Sequence, residues 1–144
     1  MSTWAAYGTA LLVLTVLDGL WLGLVARDFY QREIGALMVS DVRKLPALLF
    51  YLGYPMGLVL LALTPRPDSL AQALMRGALM GLVAYGTYDL TNLATLAAWP
   101  LGLTLIDMLW GTFLTAVVAA TADEVGQAAF EVTPLELLED LVAL

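Results

Sequence analysis

"WAAYGTALLVLTVLDGLWLGLV", Trp4 to Val25, runs for 22 residues with one charged side chain, Asp18. A helix needs about 20 apolar residues to cross about 30 Å of hydrocarbon, so this run reads as a membrane span. Three more stretches follow it: Pro46–Thr64, Leu70 to about Thr91, and Leu101–Thr121. A soluble bundle would carry a charged face on each helix, and these stretches carry almost none. The fold class is therefore all-α: a four-transmembrane-helix bundle over residues 1–121, with an acidic amphipathic tail over residues 122–144.

Composition agrees. Of 144 residues 61% are hydrophobic and 13% charged, and the mean hydropathy is +0.85, which places the chain outside ordinary soluble domains. The first span has no basic residue before it and no small-residue cleavage pattern after a short apolar core, so it is expected to be retained. The chain has no Cys and no His. Thiol chemistry, thiolate metal sites and imidazole bases are thereby excluded, and no metal or other cofactor is expected. Lys44, the only lysine, flanks a span, which excludes a mid-membrane Schiff base. There is no phosphate-binding glycine loop and no basic stripe, so nucleic acid is not an expected partner; the lipid bilayer is.

Basic residues set the orientation. Arg27, Arg32, Arg43 and Lys44 lie between spans one and two, against Arg66 and Arg76 around the second connection and none in the third. The excess puts the first loop in the cytoplasm and both termini outside. In that loop Phe29, Tyr30, Ile34, Leu37 and Met38 recur as one apolar face, which predicts a short interfacial helix. In the tail, "TPLE" at Thr133–Glu136 is a helix start, and Leu135, Leu138 and Val142 form a stripe.

Most of the information lies in the buried polar residues. Asp18, Asp89 and Asp107 fall inside three spans, where a charged residue costs about 2.5 to 3.5 kcal/mol even on the milder insertion scale. They must face inward. "TVLDGLW" (Thr15–Trp21) and "TLIDMLW" (Thr104–Trp110) repeat T-x-x-D-x-x-W, aligning a hydroxyl, a carboxyl and an indole on one face. At 1.5 Å per residue, Asp18 lies about 21 Å from Trp4, Asp107 about 10 Å from Pro100 and Asp89 about 28 Å from Leu70. All three acids then share a layer near the cytoplasmic side, and the repeated motif on antiparallel helices suggests a pseudo-two-fold axis. Two consequences are expected: Trp21 and Trp110 meet in the core, and Arg32 or Arg43 folds back onto the acids.

The run "YGTYDLTNLATLAAWP", Tyr85–Pro100, sets Tyr85 and Tyr88 before Asp89 and Asn92 after it, with Thr87, Thr91 and Thr95 alongside. Helical spacing predicts that these groups satisfy the Asp89 carboxyl. Trp99 and Pro100 are expected to mark the membrane interface. "GLWLG", "GYPMG" and "GALMG" present small-residue faces, expected to pack within one monomer, with a homodimer seam as the alternative use.

"FYLGYPMGL" (Phe50–Leu58), "AYGTYDLTNLATLAAWP" (Ala84–Pro100), "DMLWG" (Asp107–Gly111) and "LDGLWL" resemble the domain of unknown function 2177 family of small bacterial membrane proteins, over about residues 4–120. The resemblance implies a multi-pass protein of the bacterial inner membrane and names no activity. The residues themselves point to a binding site at Asp18, Trp21, Tyr85, Tyr88, Asp89, Asn92, Asp107 and Trp110, for a cation, a proton or a small amphiphile. A small membrane enzyme acting on a lipid or isoprenoid, with the acids as general acid and base, and a structural or partner-binding subunit are the alternatives.

Overall fold

A computed structural model describes the backbone of residues 1–142 and the side chains of residues 1–132. Five helices carry the chain: α1 (Thr3–Leu20), α2 (Arg27–Ile34), α3 (Lys44–Leu61), α4 (Leu70–Thr95) and α5 (Leu101–Val142). A π-helical turn, Trp21–Val25, joins α1 to α2, and a 3-10 turn, Gly35–Leu37, follows α2. Ser2 caps α1 by accepting from the Ala5 amide, and Ser69 caps α4 by accepting from Gln72 at 3.2 Å.

Among the described residues, three helical stretches are long and apolar enough to cross a membrane: Thr3–Val25, Lys44–Leu61 and Leu101–Val132. The count is three on composition, not the four expected. The helix that falls short is α4. Its 26 residues reach about 39 Å, ample for a bilayer, but Gln72, Arg76, Asp89 and Asn92 lower its hydropathy.

The core is made by α1, α3, α4 and α5. Ala6, Ala10 and Leu14 of α1, Leu58 and Val59 of α3, Ala73 of α4, and Leu114, Val118 and Ala119 of α5 are buried together. Outside this core the large apolar side chains face outward: Trp4, Leu12, Leu24, Leu61 and Leu109 are all exposed. A soluble protein would not leave so many unpartnered; a hydrocarbon surround suits them.

Glycine decides the closest contact. A Cβ on Gly77 would stand 2.6 Å from the Ala119 Cβ and 2.6 Å from the Thr115 carbonyl oxygen, and one on Gly81 would fall on the Gly111 carbonyl. Only hydrogen at these positions lets the α4 and α5 backbones meet. "GALMG" therefore packs within the monomer, as expected. The other two faces do not: Gly19, Gly23 and Gly53 have nothing within 4 Å, and Gly57 meets only the Met80 methyl at 3.7 Å.

The end of the bundle opposite the acid layer is tied by polar contacts. Ser2 N–H donates to the Gly126 carbonyl at 2.6 Å, Arg76 donates to the Pro65 carbonyl at 2.6 Å, and Arg66 donates to Gln127, which donates to the buried Asp123. α5 thus continues past Thr121 and packs on the start of α1. No helix starts at Thr133, because α5 runs unbroken through it to Val142; the stripe over Leu135, Leu138 and Val142 lies outside the described side chains.

Candidate functional site

Asp18 is buried near the end of α1 with two donors. The Tyr51 hydroxyl of α3 donates to Oδ2 at 2.7 Å, and the Trp110 indole of α5 donates to Oδ1 at 3.4 Å. The Trp21 and Trp110 rings stack with centroids 4.3 Å apart and planes 8° from parallel. The predicted meeting of the two tryptophans is present, and it joins α1 to α5 at the depth of Asp18. The exchange is one-sided, however. Trp110 reaches the acid of the other helix, whereas the Trp21 indole lies beside the Tyr30 hydroxyl and makes no bond to Asp107.

The backbone explains the asymmetry. At Trp21 the chain leaves α-helical geometry for the π turn, closed by the Ala26 amide on the Trp21 carbonyl at 2.7 Å. Such turns widen the helix and re-aim the chain on their C-terminal side. Here the turn carries α2 back over the bundle end and brings the Tyr30 hydroxyl onto Asp107 Oδ1, the position Trp21 would have filled.

Tyr30 corrects a sequence expectation. Arg27, Arg32 and Arg43 are exposed, and neither Arg32 nor Arg43 folds onto the acids; the loop residue that does is a tyrosine. A guanidinium keeps its hydration by staying at the surface, whereas a phenol costs less to bury and needs only one acceptor. Burial, and then the bond to Asp107, hold the Tyr30 hydroxyl above its usual range, so it stays protonated and remains a donor.

Asp18 and Asp107 line one cavity of about 540 Å³. Its walls come from the π turn (Leu22), α2 (Tyr30, Ile34), α3 (Phe50, Tyr54) and α4 (Ala84, Tyr85, Tyr88). No basic residue lines it. Tyr54 shares a hydrogen bond with Thr115 at 2.8 Å, and the Tyr85 ring lies where a Cβ on Gly111 would be. Tyr88, half-exposed, meets Trp99 edge to face at 5.6 Å.

Asp89 lies behind this cavity, fully buried, with its carboxyl beside the Asp107 carboxyl and the Trp99 indole. The expected help from its own helix is missing. Thr87, Thr91 and Thr95 instead bond the carbonyls one turn back, at 2.7, 2.5 and 2.7 Å, the usual competitor for a helical hydroxyl. Asn92 is half-buried and Tyr85 turns to the cavity. Thr104 also leaves the motif's expected face: its hydroxyl accepts from the Trp99 indole at 3.1 Å. Trp99 is therefore buried at the bundle end, between α4 and α5.

Of the eight predicted site residues, Asp18, Tyr85, Tyr88 and Asp107 line the cavity; Trp21, Asp89, Asn92 and Trp110 do not, although Trp110 bonds Asp18 and stacks on Trp21. Tyr30, Tyr51 and Tyr54 were missed. The signal for two of them was the three-residue spacing of Tyr51 and Tyr54 within "FYLGYPMGL", which puts both phenols on one face of α3.

This arrangement sits inside a recognisable sequence family. A family model described as "Predicted membrane protein (DUF2177)" matches residues 3–123. The chain belongs to that family. The match covers α1 to α4 and the part of α5 that carries Asp107 and Trp110, so every residue of the cavity lies within it. No curated protein and no solved structure matches the chain.

Proposed function

We propose that this membrane protein binds a small amphiphile with a cationic head group, the head entering between Asp18 and Asp107 and the tail running along the apolar wall. One observation carries the reading: two buried acids line a cavity whose other walls are four tyrosines and four apolar side chains, with no Lys or Arg. Carboxylates offer charge, aromatic faces attract a cation through their quadrupoles, and a weakly hydrated ammonium is the cation that such walls favour. The volume falls in the range of small-molecule pockets, about 300 to 1,000 Å³.

In this reading all four long helices span the membrane and the acid layer lies near the cytoplasmic face, with both termini outside. α4 is compatible with lipid because its exposed threonine hydroxyls are already bonded to backbone and its aspartate is buried. α2 acts as the gate. It has no buried residue of its own, contributes Tyr30 and Ile34 to the cavity wall, and is held to the acids through Tyr30. An ammonium head competing for Asp107 would release it.

Titration calorimetry in nanodiscs tests the charge preference. Dodecyltrimethylammonium is expected to bind saturably, at least tenfold tighter than neutral dodecylmaltoside or anionic dodecyl sulfate; the reading fails if the three bind alike.

A further inference from the structure

A second groove opens on the outer side of the bundle between α1 and α3, separate from the acid cavity. It has a volume of about 810 Å³ and is lined by Leu11 and Thr15 of α1, Val42 before α3, and Leu45, Ala47, Leu48 and Leu52 of α3, with Lys44 at its head. Tyr51 closes its inner wall and sends its hydroxyl through to Asp18. Apart from Lys44 and the Thr15 and Tyr51 hydroxyls, the lining side chains are aliphatic.

We infer that this groove seats one anionic phospholipid, its phosphate at Lys44 and an acyl chain along Leu45, Leu48, Leu11 and Leu52. The proposal goes beyond the amphiphile reading and does not depend on it: the ligand charge is opposite and the groove is a different one. Charge complementarity selects the occupant. Lys44, the chain's only lysine, lines the groove; Arg43 precedes it, and both are exposed. The acid cavity repels the same phosphate, since its polar groups are carboxylates and phenols. Exposed Asp41 lies three residues before Lys44 and leaves this short segment with one positive charge in excess. The start of α3 adds to it, because no side chain caps that helix and no acidic residue occupies its first turn. A zwitterionic lipid offers the same chain with an added cation facing Lys44, so the discrimination belongs to the head group.

Native mass spectrometry of the full chain tests this with phosphatidylglycerol and phosphatidylcholine of equal chain length. A surface charge is worth about 1 kcal/mol toward anionic lipid, so one excess charge gives roughly a fivefold preference for phosphatidylglycerol. Lys44→Gln with Arg43→Gln is expected to abolish the preference, and Leu48→Trp, which fills the groove, to abolish retention of the lipid. Both variants change exposed side chains, and an unchanged melting temperature shows that each is folded. Equal retention of the two lipids by the unaltered chain overturns the proposal. So does a preference that survives the doubly substituted variant, or retention that survives Leu48→Trp, which would mark a head-group site without a groove.

Discussion

Gly81→Ala is expected to lower stability by about 3 kcal/mol, the upper part of the range for forcing an extra methyl into a filled interior. The methyl would land on the Gly111 carbonyl and stand 2.7 Å from the Thr115 hydroxyl. Neither can retreat easily: the first is backbone, and the second is bonded to Tyr54. Relief would need α4 and α5 to separate along their contact, which would move Tyr85 and Asp107 apart and open the cavity. Gly19→Ala and Gly53→Ala are the controls, since a methyl at either meets nothing within 4 Å. They are expected to melt as the unaltered protein does, or slightly higher, because alanine restricts the unfolded chain. Thermal unfolding in detergent compares the three. Equal melting of all three would contradict the glycine contact.

Asp107→Asn is expected to fold and insert normally and to bind dodecyltrimethylammonium at least tenfold more weakly, a loss of about 1.4 kcal/mol. The amide keeps the carboxyl's shape and can still accept from Tyr30, so the contact to α2 survives while the charge is gone. Asp18→Asn is a harsher change. Both Asp18 oxygens accept hydrogen bonds, one from Tyr51 and one from Trp110, and an amide turns a donor toward one of them. That variant is expected to lose both affinity and about 1 to 2 kcal/mol of stability. Calorimetry beside thermal unfolding separates the two effects. Undiminished binding by Asp107→Asn would remove that residue from the site.

Periodicity and depth carried the reading of the sequence a long way, and their limits are physical. The apolar runs located α1, α3 and α5, because hydrocarbon-facing residues need no partner and local composition is enough. The layer of acids and the Trp21–Trp110 pair came from helix rise alone. What composition could not do was rank α4, whose polar residues are half inside the bundle and half self-satisfied. On a single helix the reading failed for Asp89: the threonines two residues to either side of it bonded backbone carbonyls one turn back. The tyrosine partners of Asp18 and Asp107 come from 33 and 77 residues away, a distance over which no repeat or shared depth pointed to them. Choosing arginine over tyrosine as the loop residue weighed charge attraction and left out the cost of removing a guanidinium from water.

The central claim is that an ammonium head group sits between Asp18 and Asp107, and photolabelling locates it most directly. A trimethylammonium amphiphile carrying a diazirine beside its head is irradiated with the protein in nanodiscs, and the adducts are mapped by mass spectrometry. The account predicts adducts on the cavity residues Leu22, Tyr30, Ile34, Phe50, Tyr54 and Ala84, competed away by excess dodecyltrimethylammonium and lost in Asp107→Asn. Adducts confined to outward-facing residues such as Leu12, Leu61 and Leu109, indifferent to competitor and to the substitution, would contradict it.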